Sequence, residues 1–284
     1  MISITPRVPN ISFGQDFPVR WNGGDAAASH VFNALSWLFP SGERFFIDVV
    51  RAVAAELSSP LVTSFNHELQ AFVVQEAIHS RQHQLYNDSM HRRGFRSVVA
   101  KTITRLQQQA HSMHVLSRLA IVCAYEHYTT ILGDYLLRRP QLLQQAEPWL
   151  ALLWQWHAVE ELEHKAVCFE LYHRAGGGYW RRNLLFLLVS LNFSLLFCRQ
   201  YWHMLWKDGA LRRGQLRHTL WRSMQLAWGR EGFGWSLLHH GLAYWHPRYH
   251  PERFDSQHLI QQWLASHADS YRPWHHGTAK QPDC

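Results

Sequence analysis

Between about residues 40 and 175 the apolar positions recur every three or four residues with polar ones between them, and no stretch there alternates strictly enough to read as a strand or hairpin. Residues 1–28 look irregular, with Pro6, Pro9, Pro18 and Gly23-Gly24. A short amphipathic helix is predicted at about 29–38, stopping at Pro40. Ser41 is a candidate N-cap for a first long helix at about 42–57. Ser59-Pro60, a cap followed by proline at the first helical position, opens a second helix that ends before Gly94. The periodicity from Ser97 to Arg139 closes at Pro140 and fits one bent helix or two. Pro148 opens a fourth, which runs to the Gly176-Gly177-Gly178 turn. The expected fold is all-α. Residues 1–40 form an irregular segment and short helix, 41–178 a bundle core, and 179–284 further helices and a tail on the same domain.

Two of the predicted helices carry near-copies of one pattern, Gln75-Glu76-Ala77-Ile78-His79 and Glu160-Glu161-Leu162-Glu163-His164. Positions i and i+3 lie about 60° apart around a helix, so each Glu and its His can grip one ion from a single face. Each pattern is preceded in sequence by a lone Glu on another predicted helix, Glu43 and Glu126. The separations are 33 residues from Glu43 to Glu76, 50 from Glu76 to Glu126 and 35 from Glu126 to Glu161, each enough for a helix and a turn. One Glu from each of two helices and one Glu-x-x-His from each of two others is the donor set of four-helix bundles that hold two metal ions. Solvated Glu and His on helix surfaces would be the ordinary reading of one such motif. Here the flanks are apolar, as in Ala71-Phe72-Val73-Val74 and Ala166-Val167-Cys168-Phe169, and a carboxylate facing an apolar core is costly unless paired or metal-bound.

Mixed carboxylates and imidazoles suit iron or manganese, whereas structural zinc favours thiolates. Four carboxylates match the charge of two divalent ions. His157, Glu161 and His164 fall within about 60° of one another on the helix, which makes His157 a candidate further ligand. Glu76, His79 and His83 occupy the corresponding arc. Glu160 is ambiguous, because it also makes an i, i+4 pair with His164. Cys168, one turn beyond His164, reads as a buried core thiol.

After Gly178 the character changes. Asn183 to Cys198 contains no charge and is extended by Tyr201-Trp202 and Leu205-Trp206. It is short for a transmembrane span and interrupted by Asn192, so a buried bundle helix is the leading expectation, ahead of an interfacial element. From Leu211 to Arg230 there are five arginines and no acidic residue, which reads as an ordinary solvated helix or as a docking surface for an anionic partner or membrane. The last 45 or so residues are rich in Trp, His and Pro and suggest a lid rather than ligands. Four widely spaced cysteines, with no Cys-x-x-Cys, and no basic n-region followed by an apolar stretch and cleavage site predict a reducing, cytoplasmic setting, with membrane association left open. The net charge of +7 is unaccompanied by any nucleic-acid-binding motif.

Three segments carry a family resemblance: Phe39-Pro40-Ser41-Gly42-Glu43-Arg44-Phe45-Phe46; Gln75-Glu76-x-x-His79-x-x-x-His83-x-x-Tyr86-Asn87; and Trp156-His157-x-x-Glu160-Glu161-x-Glu163-His164-Lys165. Over roughly residues 20–275 the chain resembles the ferritin-like family catalogued as predicted metal-dependent hydrolases. In ligand spacing alone it is also similar to the di-iron N-oxygenases of the p-aminobenzoate oxygenase type, which add a third His one turn before the second Glu-x-x-His, here His157. The resemblance and the helical geometry together imply a ferritin-like four-helix bundle with Glu43, Glu76 and His79 around one metal and Glu126, Glu161 and His164 around the other, one or two carboxylates bridging. Gln75 and Glu160 take the place of polar groups that orient a ligand imidazole, His83 is either a ligand or such a group, and Glu163 lies outside the site.

Three functions follow. The first is a non-haem di-iron oxygenase, using iron (or manganese) and dioxygen as co-substrate to oxidise a small organic molecule, with an external electron donor or reductase. The second is a dinuclear metal-dependent hydrolase, and the third a non-catalytic metal-binding bundle. Expected partners are a small-molecule substrate and the electron donor. Peripheral membrane contact and a homodimer are admitted by the residues.

Overall fold

In the computed structural model, which describes residues 4–13, 17–56 and 64–274, helices account for nearly all the regular structure and the fold is all-α. The Asp25 carboxylate accepts from the Ala28 amide at 3.1 Å and so starts α1 (Ala26–Ser36) three residues earlier than the periodicity suggests. α2 (Phe39–Glu56) begins on Phe39, which places Ser41 inside the first turn rather than at a cap. Its apolar face, Phe46, Val49, Val50 and Val53, is wholly buried. Each such side chain contributes about 1.5–3 kcal/mol through removal from water.

α3 (Asn66–Arg92) ends before Gly94 as predicted; the Ser59-Pro60 start lies outside the described residues. The long pattern resolves into two helices, α4 (Ala100–His111) and α5 (Val115–Leu137). The break has a local cause: the His114 ring accepts from the Leu116 amide at 3.2 Å and caps a new helix. α6 (Pro148–His164) opens on its proline. It stops at Lys165, before the glycine turn, and α7 (Val167–Arg174) continues after a bend. At the bend the Lys165 ammonium donates to the Phe254 carbonyl at 2.5 Å and the Ser256 hydroxyl at 2.8 Å.

α2 packs on α3, α5 on α6, α2 on α5 and α3 on α6, so four helices surround one interior. Gly133 lets α5 approach α6 closely, since a Cβ there would lie 3.1 Å from the Ala158 carbonyl oxygen. α8 (Tyr179–Lys207), α9 (Leu216–Trp228) and α10 (Phe233–Tyr244) cover the α1 and α5 side, and α11 (Gln257–Ser266) packs on α6. α8 is buried along one face only; Leu184, Leu187, Leu188, Leu191 and Leu195 are exposed along the other, which corrects the expectation of a buried helix. Sequence periodicity did not single out α10 and α11, which fall at and within the Trp/His-rich tail, nor a pair of short strands. β1 (Arg7–Pro9) and β2 (Tyr271–Pro273) pair antiparallel, with Arg7 opposite Pro273, and β1 lies against α6.

Candidate metal centre

The four surrounding helices each turn acids or imidazoles inward. α2 supplies Glu43, α3 supplies Glu76 and His79, α5 supplies Glu126, and α6 supplies His157, Glu161 and His164, all of them buried. Donor atoms of Glu76, His79, Glu161 and His164 all lie within 4.8 Å of one another, and so do those of Glu43, His79 and His157. This grouping differs from the expected division into two triplets, because the Glu-x-x-His residues of α3 and α6 interleave. The Glu161 carboxylate is central: its Oε1 lies 2.8 Å from His157 Nε2, 3.5 Å from His79 Nδ1 and 3.8 Å from His164 Nε2. Glu76 Oε1 lies 3.4 Å from His164 Nε2 and 3.9 Å from His79 Nδ1. Glu126 Oε2 is 3.0 Å from His164 Nδ1.

Hydrogen bonds behind these groups fix the tautomers. Ser36 donates its hydroxyl to Asn87 Oδ1 at 2.9 Å, so its oxygen accepts from His83 Nδ1 at 2.9 Å. His83 Nε2 therefore accepts from His157 Nδ1 at 2.7 Å, and His157 Nε2 is left bare, facing the Glu161 oxygen. Two acceptors that close repel each other unless a proton or cation lies between them. His83 is thus the group that orients His157. Glu160 does the same for His79, accepting from Nε2 at 3.0 Å and leaving Nδ1 toward Glu76 and Glu161. Gln75 departs from its expected role: it donates to Glu163 at 3.0 Å and touches no imidazole. Glu163 is outside the donor cluster but anchors the layer behind it, receiving both guanidinium nitrogens of Arg7 at 2.8 and 2.9 Å. The Arg7 backbone amide in turn donates to Glu160 at 2.9 Å. Nothing in the sequence pointed to Arg7, 153 residues from Glu160.

The metal is tested by what the protein leaves unsatisfied. Among the described residues, both oxygens of Glu43 and of Glu76, one each of Glu126 and Glu161, Nδ1 of His79 and Nε2 of His164 are buried without a hydrogen-bond partner. Buried polar atoms are seldom orphaned in a native fold, and here the orphans converge. Burial, then repulsion from Glu161, holds the Glu43 and Glu76 carboxyls well above their usual range. Burial also lifts Glu126, to about 7 against the pull of His164. At His164 burial disfavours the charge, but Glu126 and Glu161 outweigh it and raise the imidazole to about 9. Burial and the neighbouring His157 depress His79. Such a cluster strains toward neutrality, and divalent cations would relieve it. The donor set fits two metal ions, and contains no thiol: Cys168 is buried in the core, where desolvation keeps it protonated.

An apolar cavity of about 320 Å³ reaches this cluster. Glu43 and Glu161 line it together with Phe46, Tyr125 and Thr129, and α8 contributes Leu188, Val189 and Phe193. A smaller one of about 100 Å³ touches Glu161 and His157 from another side, between Phe39 and Trp154. A family model described as predicted metal-dependent hydrolase matches residues 5–255. The chain belongs to that family. No curated protein and no solved structure matches it. The family description and the buried Glu/His cluster agree on a metal-binding enzyme, and the matched span takes in β1, the donor helices and α8 to α10 alike.

Proposed function

We propose that the chain is a dinuclear metal-dependent hydrolase acting on a small, largely apolar substrate. Glu43, Glu76, His79, Glu126, His157, Glu161 and His164 would hold the two ions, with the Glu76 and Glu161 carboxylates each lying between His79 and His164. When bound, such ions polarise a carbonyl and lower the pKa of water. One observation carries the reading: Glu43 and Glu161 belong both to the donor cluster and to the wall of the apolar cavity, so a molecule in that cavity would lie against residues that would hold the metal.

The remaining residues bind, orient and keep water out. Phe46, Val189 and Phe193 would grip the apolar part of the substrate. The Tyr125 phenol, pushed up to about 12 by burial, stays neutral and can donate a hydrogen bond beside Glu161, as can Thr129. Glu160 and His83 hold the His79 and His157 rings in the tautomers that present a bare nitrogen. Phe72 and Trp156, edge-on to His164 and His79 with ring centroids 4.9 Å apart in each pair, exclude solvent behind them.

A second reading, a di-iron oxygenase supplied with electrons by a separate reductase, is favoured by the donor chemistry itself. Carboxylates and imidazoles without thiolate suit iron or manganese, and oxidation of an apolar molecule needs only the walls this cavity has. One experiment separates the two. Protein reconstituted with zinc and with iron is assayed without oxygen on nitrophenyl esters of increasing acyl length, and with oxygen and a chemical reductant for oxygen uptake. Ester hydrolysis by both metal forms without oxygen supports the hydrolase. Turnover confined to iron with oxygen would replace it by the oxygenase.

A further inference from the structure

Among the described residues, every exposed large apolar side chain apart from Leu85 and Met113 lies between Trp180 and Leu242. All the exposed tryptophans fall there too: Trp180, Trp202, Trp206, Trp221, Trp228 and Trp235. On α8 the exposed leucines form a stripe at helical spacing. Trp180 and Arg181 stand at one end and Arg199, Trp202 and Trp206 at the other. α8 and α9 pack on α1, and α8 and α10 on α5, while α9 packs on α10, so the three helices form one layer whose outer face points away from the bundle.

The charge is as concentrated as the apolar surface. Residues 179–250 contain ten Arg and Lys, eight of them exposed (all but Arg182 and Arg222), against two acids, Asp208 and Glu231, a surplus of eight, whereas the whole chain has a surplus of seven. Everything outside this layer therefore sums to one negative charge. Leucines flanked by tryptophan and arginine are the composition of a helix lying in the plane of a membrane interface. A second copy of the chain is the less fitting occupant, because a two-fold contact would set this cationic face against itself. A span is less fitting as well. α8 is long and apolar enough to cross a membrane, but its other face is packed in the fold with Arg182, Asn183 and Gln200 buried on it.

We propose that the α8–α10 face docks on an anionic bilayer surface and that the cavity takes a single acyl or alkyl chain from it. Leu188 joins the two features, since it belongs to the exposed stripe and also lines the cavity whose wall includes Glu43 and Glu161. Met113, one of the two exposed apolar side chains elsewhere, lines the same cavity. A lipid chain leaving the membrane would thus pass from one apolar surface to another without crossing water. The choice of chain rests on the reading of the metal cluster as the reactive centre; the docking does not.

The docking is tested by flotation of the metal-loaded protein with phosphatidylcholine vesicles, with and without phosphatidylglycerol. The protein should float with the anionic vesicles, be released by high salt, and lose flotation on L191E/L195E, two positions outside the cavity. R212E/R213E/R217E, lying in and beside a surface turn, should weaken anionic binding at least about a hundredfold, about a factor of five for each arginine lost before the added repulsion. Both variants should keep their metal content. Equal binding to neutral vesicles would overturn the proposal. So would resistance to alkaline carbonate extraction, or a dimer in solution that L191E/L195E dissociates. Parinaric acid, a fluorescent polyene fatty acid, reads the cavity: it should bind the unaltered chain, and L188W should reduce its binding while still floating. Flotation without parinaric acid uptake would refute the acyl chain and leave the docking in place. Uptake without turnover under either metal regime would refute the catalytic reading alone.

Discussion

The Arg7 side chain offers a sharp test of how the centre is held. Its guanidinium is buried and makes two bonds to Glu163 at 2.8 and 2.9 Å, with a further approach to Glu160 at 3.6 Å. Arg7→Met removes the charge and keeps much of the volume, leaving Glu163 with the Gln75 amide alone. Breaking one partner of a buried ion pair costs about 3–5 kcal/mol, because the other charge is left uncompensated. For a chain of this size that corresponds to a drop of roughly 5–8 °C in Tm. Arg7→Met combined with Glu163→Gln removes both charges and should recover most of the loss, to within about 1 kcal/mol of the unaltered protein. The measurement is chemical denaturation in chelator, so that metal binding does not mask the difference. Metal content should hardly change in Arg7→Met, because the bond from the Arg7 amide to Glu160 is made by the backbone and Glu160 still orients His79. A single variant that costs under about 1 kcal/mol, or a double variant with no recovery, would show that the pair is not what braces this layer.

Alanine at Glu76, His79, Glu161 or His164 should each remove at least one metal by plasma emission, whereas Glu163→Ala should keep both; the opposite result for Glu161 and Glu163 would mean that the donor assignment on α6 is wrong. Glu160→Ala, which deprives His79 of the partner 3.0 Å away, should weaken metal binding about 10–100-fold in competition with a chromophoric chelator. The metal-free protein should lose stability through Glu126 and His164 as pH rises between about 4.5 and 9, as melts in chelator would show. Glu126, raised to about 7 from 4.5, and His164, raised to about 9 from 6.5, both keep protons in the folded chain that the unfolded chain releases, so folding weakens as pH climbs through those windows. His79 is depressed and acts the opposite way, lowering stability only as pH falls below 6.5. With metal bound the alkaline loss should vanish, since ligation replaces the missing protons and is itself favoured by high pH.

What the residues disclosed in advance, and what they did not, follows from the range of the interactions. The Glu-x-x-His pairs were readable because a three-residue spacing on a helix is a local fact, and Glu43 and Glu126 because each precedes one of those pairs by about a helix and a turn. The bend at Lys165 was not, and the groups its side chain reaches, a carbonyl at Phe254 and a hydroxyl at Ser256, lie far along the chain. The exposed side of α8 was equally hidden, because a run of leucines looks the same whether its outer face meets protein or something else. Arg7, Ser36 and the β1–β2 pair act through partners far away in sequence, and only Asn87, four residues after His83, lay close enough for spacing to suggest it.

The strand pair also orders events in time. Arg7 leaves the ribosome long before β2, which holds its strand in register and ends at Pro273. The four donor helices are all present once His164 has been made, so a nascent chain can assemble the metal ligands well before β1 is held in place behind Glu160. Long-range pairings of this kind close late in folding. Metal taken up by a growing chain would therefore meet a cluster whose ligands are in position but whose outer brace is still open, and the final few residues of β2 would lock it from 260 residues away.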